Sequence, residues 1–190
     1  MKKTTPIILL STIIYATLRY NVFKHVPWVD WPTYVLNKSF ALTALLLLMT
    51  YALQHHRNPD KTDNSLLTSA WLFMLFHAGI SLAILTPAYY PKYFDAGKLT
   101  SLAAWSMMLG VTAAACLHQV CRLCSLKDPA GLPLKIGVLA FLSGVHAMLL
   151  GYTGWFQPWT WPGNIIPITL ISFLAGSAAL IATLLPAGKK

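Results

Sequence analysis

The sequence predicts an all-α fold, an integral membrane bundle of six transmembrane helices with both termini cytoplasmic, and three observations predict it. The first is composition. Of 190 residues, 56% are hydrophobic and 10% charged, with a mean hydropathy of +0.59, too apolar for a soluble domain of that length. The second is length, because a bilayer core of about 30 Å takes roughly 20 apolar residues in a helix. The chain therefore has room for five or six spans with short connections, a single transmembrane domain over 1–190, and no sizeable soluble domain. The third is punctuation. Proline recurs between the apolar stretches, at Pro27 and Pro32, Pro59, Pro87 and Pro91, Pro129 and Pro133, then Pro158 and Pro162, and its missing N–H and fixed φ interrupt helices.

The first helix is expected over about 5–23. MKKTTPIILLSTIIYATL opens like a signal peptide, but the apolar stretch runs on through Arg19 and Tyr20 to Phe23 without a clear small-x-small cleavage site, which favours a retained helix. Five more are expected over about 36–54, 66–87, 99–121, 134–153 and 164–185. An N-terminus inside puts nine cations, Lys2, Lys3, Arg57, Lys61, Arg122, Lys127, Lys135, Lys189 and Lys190, on the cytoplasmic side. Five go outward: Arg19, Lys24, Lys38, Lys92 and Lys98. That asymmetry follows the positive-inside rule and gives a multi-pass protein of the cell membrane in contact with the lipid bilayer. The net charge of +9 is spread over loops and ends rather than gathered in a run, so nucleic acid is not an expected partner.

The outward loops are rich in rings: Trp28 and Trp31, then Tyr89, Tyr90, Tyr93 and Phe94, then Trp155, Phe156, Trp159 and Trp161. They read either as an aromatic belt at the membrane interface or as a rim shaping access to a site beneath it. Cys116, Cys121 and Cys124 are an odd number and make no disulfide framework. Cys121 and Cys124 fall toward the cytoplasmic side, where thiols stay reduced.

An ionisable side chain in mid-membrane is costly and is by default a functional hypothesis. His77 lies 11 residues past Leu66 on the third helix and His146 lies 12 past Leu134 on the fifth. Both helices run outward, so at about 1.5 Å per residue the two histidines are level, roughly 16 to 18 Å from the inner edge. Equal depth is what bis-imidazole ligation of one haem b requires, the two nitrogens facing across one iron about 4 Å apart. Phe73, Met74, Ile80 and Ser81 share a face with His77, and Leu142, Ser143 and Leu150 with His146. Gly79 and Gly144 are small enough to admit a flat macrocycle, or simply to let helices pack. Arg19 on the first helix, with Asn37 and Lys38 at the outer start of the second, would meet the propionates, the alternative for the two cations being snorkelling to the headgroups.

A second group, His55, His56 and His118, lies at the inner edge. It reads as a second haem, as the point where electrons arrive from a partner, or as ordinary interface residues. His118, Cys121 and Cys124 form an HxxCxxC string that lacks the fourth ligand a tetrahedral zinc needs. The CxxCH haem-attachment motif is absent, Ser125 following Cys124, so any haem is held without covalent bonds.

With one level histidine on the third helix and one on the fifth, the string HAGISLAILTPAYYPKYF from His77 to Phe94, LRYNVF, and the NKSFALTALLLL start of the second helix, the chain resembles the ferric reductase-like transmembrane domain superfamily. That superfamily spans ferric reductases, NADPH oxidases, STEAP-type metalloreductases and the bacterial methionine sulfoxide reductase haem subunit. The resemblance covers most of the chain and implies a b-type cytochrome with His77 and His146 as axial ligands. Two-haem members carry a second histidine about 13 residues away on each of those helices. Neither helix has one here, which implies a single haem. The resemblance also implies a separate cytoplasmic-side donor, a flavoprotein or a quinol, and an outer-side acceptor; Tyr89, Tyr90 and Lys92 in the outer loop are candidates to meet it. The other readings are a two-haem cytochrome of the b561 type, which pairs helices two and four as well, and a non-redox transporter or scaffold.

Overall fold

The computed structural model describes residues 3–123 and 131–185. Lys2, Cys124, Lys127, Pro129, Lys189 and Lys190 lie outside the described residues. Among the described residues six long helices form. α1 (Thr4–Thr17) carries Pro6 in its first turn, where an amide has no helical partner to lose, and widens into a π-helical turn over Leu18–Phe23. α2 (Leu36–Arg57) follows a similar turn at Trp31–Val35 and stops at Asn58, held extended ahead of Pro59. The remainder are α3 (Ser65–Ala83), α4 (Ser101–Leu123), α5 (Leu132–Gly151) and α6 (Ile168–Leu184). With their flanking turns, all six are long and apolar enough to cross a membrane, the architecture of a multi-pass membrane protein.

Most boundaries shift from the expected ones by a few residues, and three of the shifts have a clear local reason. α3 stops at Ala83 rather than running to 87, because Pro87 disfavours a helical Thr86, whose carbonyl instead takes the amides of Tyr89 and Tyr90. α4 starts at Ser101 after a two-residue hairpin, β1 (Phe94–Asp95) against β2 (Lys98–Leu99), turned at Ala96 and Gly97 with positive φ. Thr100 then caps α4 by accepting the Ala103 amide at 3.3 Å. α6 begins at Ile168 rather than 164, since Pro162 and Pro167 keep the approach in turns and extended backbone.

Successive helices alternate in direction. Lys3, Arg57, Lys61, Arg122 and Lys135 gather at one end of the bundle, the basic end, and the Trp- and Tyr-rich loops at the other, the aromatic end. α2 is the central helix: 61% of its apolar window is buried, against 22–33% for the others, and it packs on α1, α3, α5 and α6. α5 and α6 pack closest. Gly137, Gly144 and Gly151 recur every seventh residue along α5, and a Cβ on any of them would meet α6, while one on Gly176 would meet the Ala140 backbone.

The solid core lies toward the basic end, where Leu47, Leu48, Leu66, Leu67, Leu117, Ile136 and Leu139 are fully buried. Toward the aromatic end α2 and α4 present Ala41, Ala44, Gly110, Ala113 and Ala114 instead, and the bundle is hollow there. The ring-rich loops divide. The indole N–H groups of Trp31, Trp155 and Trp161 are tied inward to Thr17, Thr169 and the Gly154 carbonyl, each at 2.9 Å, whereas Trp28, Phe156 and Trp159 project outward.

Candidate functional site

His77 on α3 and His146 on α5 face each other across the hollow, ring centroids 6.5 Å apart and planes at 74°. Each imidazole is held by its Nδ1. His77 Nδ1 lies 2.6 Å from Asn37 Oδ1 and 3.2 Å from the Asn37 carbonyl oxygen. His146 Nδ1 lies 2.7 Å from the Ser106 carbonyl oxygen. A carbonyl oxygen only accepts, so both Nδ1 atoms carry the proton and both Nε2 atoms present a lone pair. No hydrogen bond engages either Nε2 among the described residues. This is the arrangement in which a histidine ligates a metal, with the second nitrogen spent on a backbone or side-chain oxygen that fixes tautomer and orientation.

The separation fits one metal between them. With metal–nitrogen bonds of about 2.0–2.1 Å and a ring centroid about 1.1 Å behind its nitrogen, a linear arrangement needs centroids about 6.3 Å apart. Space is available beside the pair. An apolar cavity of about 290 Å³ is lined by His77, His146, Met74, Met107 and the small residues of α2 and α4. A second, of about 530 Å³, opens toward the aromatic end and is lined by both histidines together with Arg19, Lys24, Lys38 and Lys92. No carboxylate is among its lining residues.

Arg19 is 8% exposed. Its Nη1 donates to the Ile165 carbonyl while its Nε is buried without a partner. Lys38 Nζ sits 3.8 Å over the Tyr34 ring and 5.4 Å from that of Tyr20, a cation–π cradle. Lys24, just beyond α1, has its pKa lowered by burial and by the charges of Arg19 and Lys92. Among the described residues these cations are brought together in a cavity whose lining holds no carboxylate, so it suits an anionic group.

The expected residues are thus partly regrouped. His77, His146 and Ser81 meet as the spacing predicts. Asn37 is turned to the protein: Oδ1 accepts from His77 and from Ser81 Oγ, while Nδ2 donates to Ser81 Oγ at 3.0 Å and to Tyr90 Oη at 3.1 Å. Ser143 lines the apolar cavity, with its hydroxyl donated to the Leu139 carbonyl. Gly144 and Gly79 do not face the hollow. Gly144 packs on α6, where a Cβ would lie 3.0 Å from the Ser172 carbonyl, and Gly79 opens outward. The glycine at the site is Gly110 on α4, where a Cβ would lie 3.2 Å from His146 Cε1. Gly110 and Ser106 are four apart on one face of α4, a spacing visible in the sequence but without meaning until α4 is known to lie against α5.

The second histidine group is dispersed among rings. His55 stacks on Tyr51, His118 lies against Trp71, and His56 Nδ1 is buried without a partner. Among the described residues no group of three or more His, Cys, Asp or Glu side chains is placed to hold a metal ion. Cys121 Sγ lies 3.7 Å from the Leu67 carbonyl oxygen, and Cys124 falls outside the described residues.

Compared with protein-family models and with curated proteins, the chain matches none.

Proposed function

We propose that the chain is a membrane-embedded b-type cytochrome, ferric reductase-like, that carries electrons across the cell membrane through one haem ligated by His77 and His146. The observation that carries this reading is the pair of imidazoles with Nδ1–H donated to oxygen, free Nε2 lone pairs and ring centroids 6.5 Å apart. When bound, the haem supplies a one-electron ferric/ferrous couple.

The chain's own residues do the rest. Asn37 and Ser106 hold the two rings, the Met- and Ala-lined cavity keeps water from the metal, and Arg19 and Lys38 offer positive charge to the propionates. The basic end faces the cytoplasm in this proposal, with both termini inside. The electron donor is a separate cytoplasmic-side flavoprotein or a quinol, and the acceptor approaches from the aromatic end. The test is the visible spectrum of the purified protein, oxidised and dithionite-reduced. A low-spin b-type signal is expected in the wild type and lost in His77→Ala and in His146→Ala, and a colourless wild type after expression with ample haem would refute the reading.

A further inference from the structure

The loop between α3 and α4 reaches both histidines at once. Tyr90 Oη accepts one N–H of the Asn37 amide, and Ser81 takes the other. With both donors spent, the carboxamide is fixed with Oδ1 toward His77. Tyr93 Oη pairs with Ser106 Oγ at 2.6 Å, between a tyrosine 6% exposed and a serine fully buried. The Ser106 carbonyl in turn takes the His146 Nδ1–H, with Ser106 Oγ 3.3 Å from the same nitrogen. Between the two relays the rings of Tyr90 and Tyr93 stack, centroids 5.3 Å apart and planes within 16°. Burial raises the pKa of both hydroxyls, so each remains a neutral donor and acceptor at neutral pH.

We propose that Tyr90 and Tyr93 act as one positioning unit, linked through Asn37 to His77 and through Ser106 to His146, so that a single loop sets the hydrogen-bond strength at both imidazoles. This rests on the proposed haem ligation only where the potential is concerned; the relays themselves belong to the protein. An imidazole whose Nδ1–H is firmly bound pushes more electron density to a metal at Nε2. Losing either hydroxyl therefore weakens that push and favours the reduced metal. The stacked rings hold the two relays side by side on one loop, each hydroxyl serving its own histidine.

The variants are Tyr90→Phe and Tyr93→Phe, which keep rings and stacking, with Ser106→Ala as an independent break in the second relay and Tyr152→Phe, an exposed tyrosine of another loop, as control. In the cofactor-free protein, imidazole ¹H–¹⁵N spectra should show His77 and His146 as Nδ1–H tautomers with slow proton exchange. Exchange should quicken at His77 in Tyr90→Phe and at His146 in Tyr93→Phe and Ser106→Ala, and stay unchanged in Tyr152→Phe. In the haem-loaded protein the midpoint potential should rise in each relay variant, and the low-spin g-anisotropy, which follows the angle between imidazole planes, should change with it. Tyr93→Phe and Ser106→Ala combined should shift the potential no more than either alone, since both cut one relay. Unchanged exchange in all three relay variants would overturn the proposal, as would potentials and g-values that stay at the wild-type position. A protein that takes up no haem yet shows the exchange effects would refute the cytochrome reading and uphold the relays.

Discussion

Two groups of histidines share this bundle, and what separates them is how tightly the second ring nitrogen is held: His55 Nδ1 lies 3.5 Å from Thr62 Oγ1, against 2.6 and 2.7 Å to the oxygens that hold His77 and His146. His77 and His146 each spend Nδ1 on an oxygen fixed by a different helix and line a hollow together with alanine, glycine and methionine. His55 and His118 lie against aromatic rings, and His56 leaves a buried Nδ1 unsatisfied. The residue type is the same, but the first group has the firmly hydrogen-bonded far side that the proposed ligation calls for. A ligand histidine is recognised by what holds its far side, a property absent from any count of histidines.

Substitutions sharpen this contrast. The largest effect is expected from Gly110→Leu, because even a Cβ there lies 3.2 Å from the His146 ring; haem occupancy should fall to near zero, while Gly79→Ala, which meets nothing within 4 Å, keeps the wild-type absorbance per chain. Next is Asn37→Leu, which removes both acceptor and support from His77. Loss of such an outer partner costs about 10–100-fold in metal affinity, read by haem titration of the cofactor-free protein.

A smaller effect is expected at Lys24, whose lowered pKa makes its charge unfavourable in the fold. That cost is fully present below the folded pKa. It is relieved as pH rises through the folded value toward the ordinary 10.5, where the unfolded chain binds more protons and stability increases. Thermal melts of the cofactor-free protein should show this alkaline gain in the wild type and a flatter profile in Lys24→Gln. The smallest is His56→Leu: replacing a polar atom that has no partner removes a desolvation cost, so stability should hold or rise within about 1 kcal/mol. A loss of haem in that variant would break the distinction between the two groups.

Much of the architecture was legible in the sequence, because membrane-length apolar runs and prolines act locally. The spans lie within about four residues of the observed helices, with Pro59 just past the end of α2 and Pro133 in the first turn of α5. α3 ends at Ala83, short of what its apolar run through Ile84 and Leu85 suggests, ahead of Pro87. The level placement of His77 and His146 was also legible, since helical rise converts sequence position into depth. Their orientation was not, because the oxygens that hold them come from Asn37 on α2 and Ser106 on α4, and the sequence says nothing of which faces of those helices meet. Gly144 shows the same limit: its seven-residue spacing with Gly137 and Gly151 signals a packing stripe, and the stripe belongs to α6.

The most direct test of the account is haem-to-protein stoichiometry, measured together with the reduced spectrum, in wild type and in the triple variant His55→Ala/His56→Ala/His118→Ala. One haem per chain in both proteins, with the low-spin signal unchanged in the triple variant, is the predicted result. Two haems per wild-type chain, or loss of the signal from the triple variant, would contradict it.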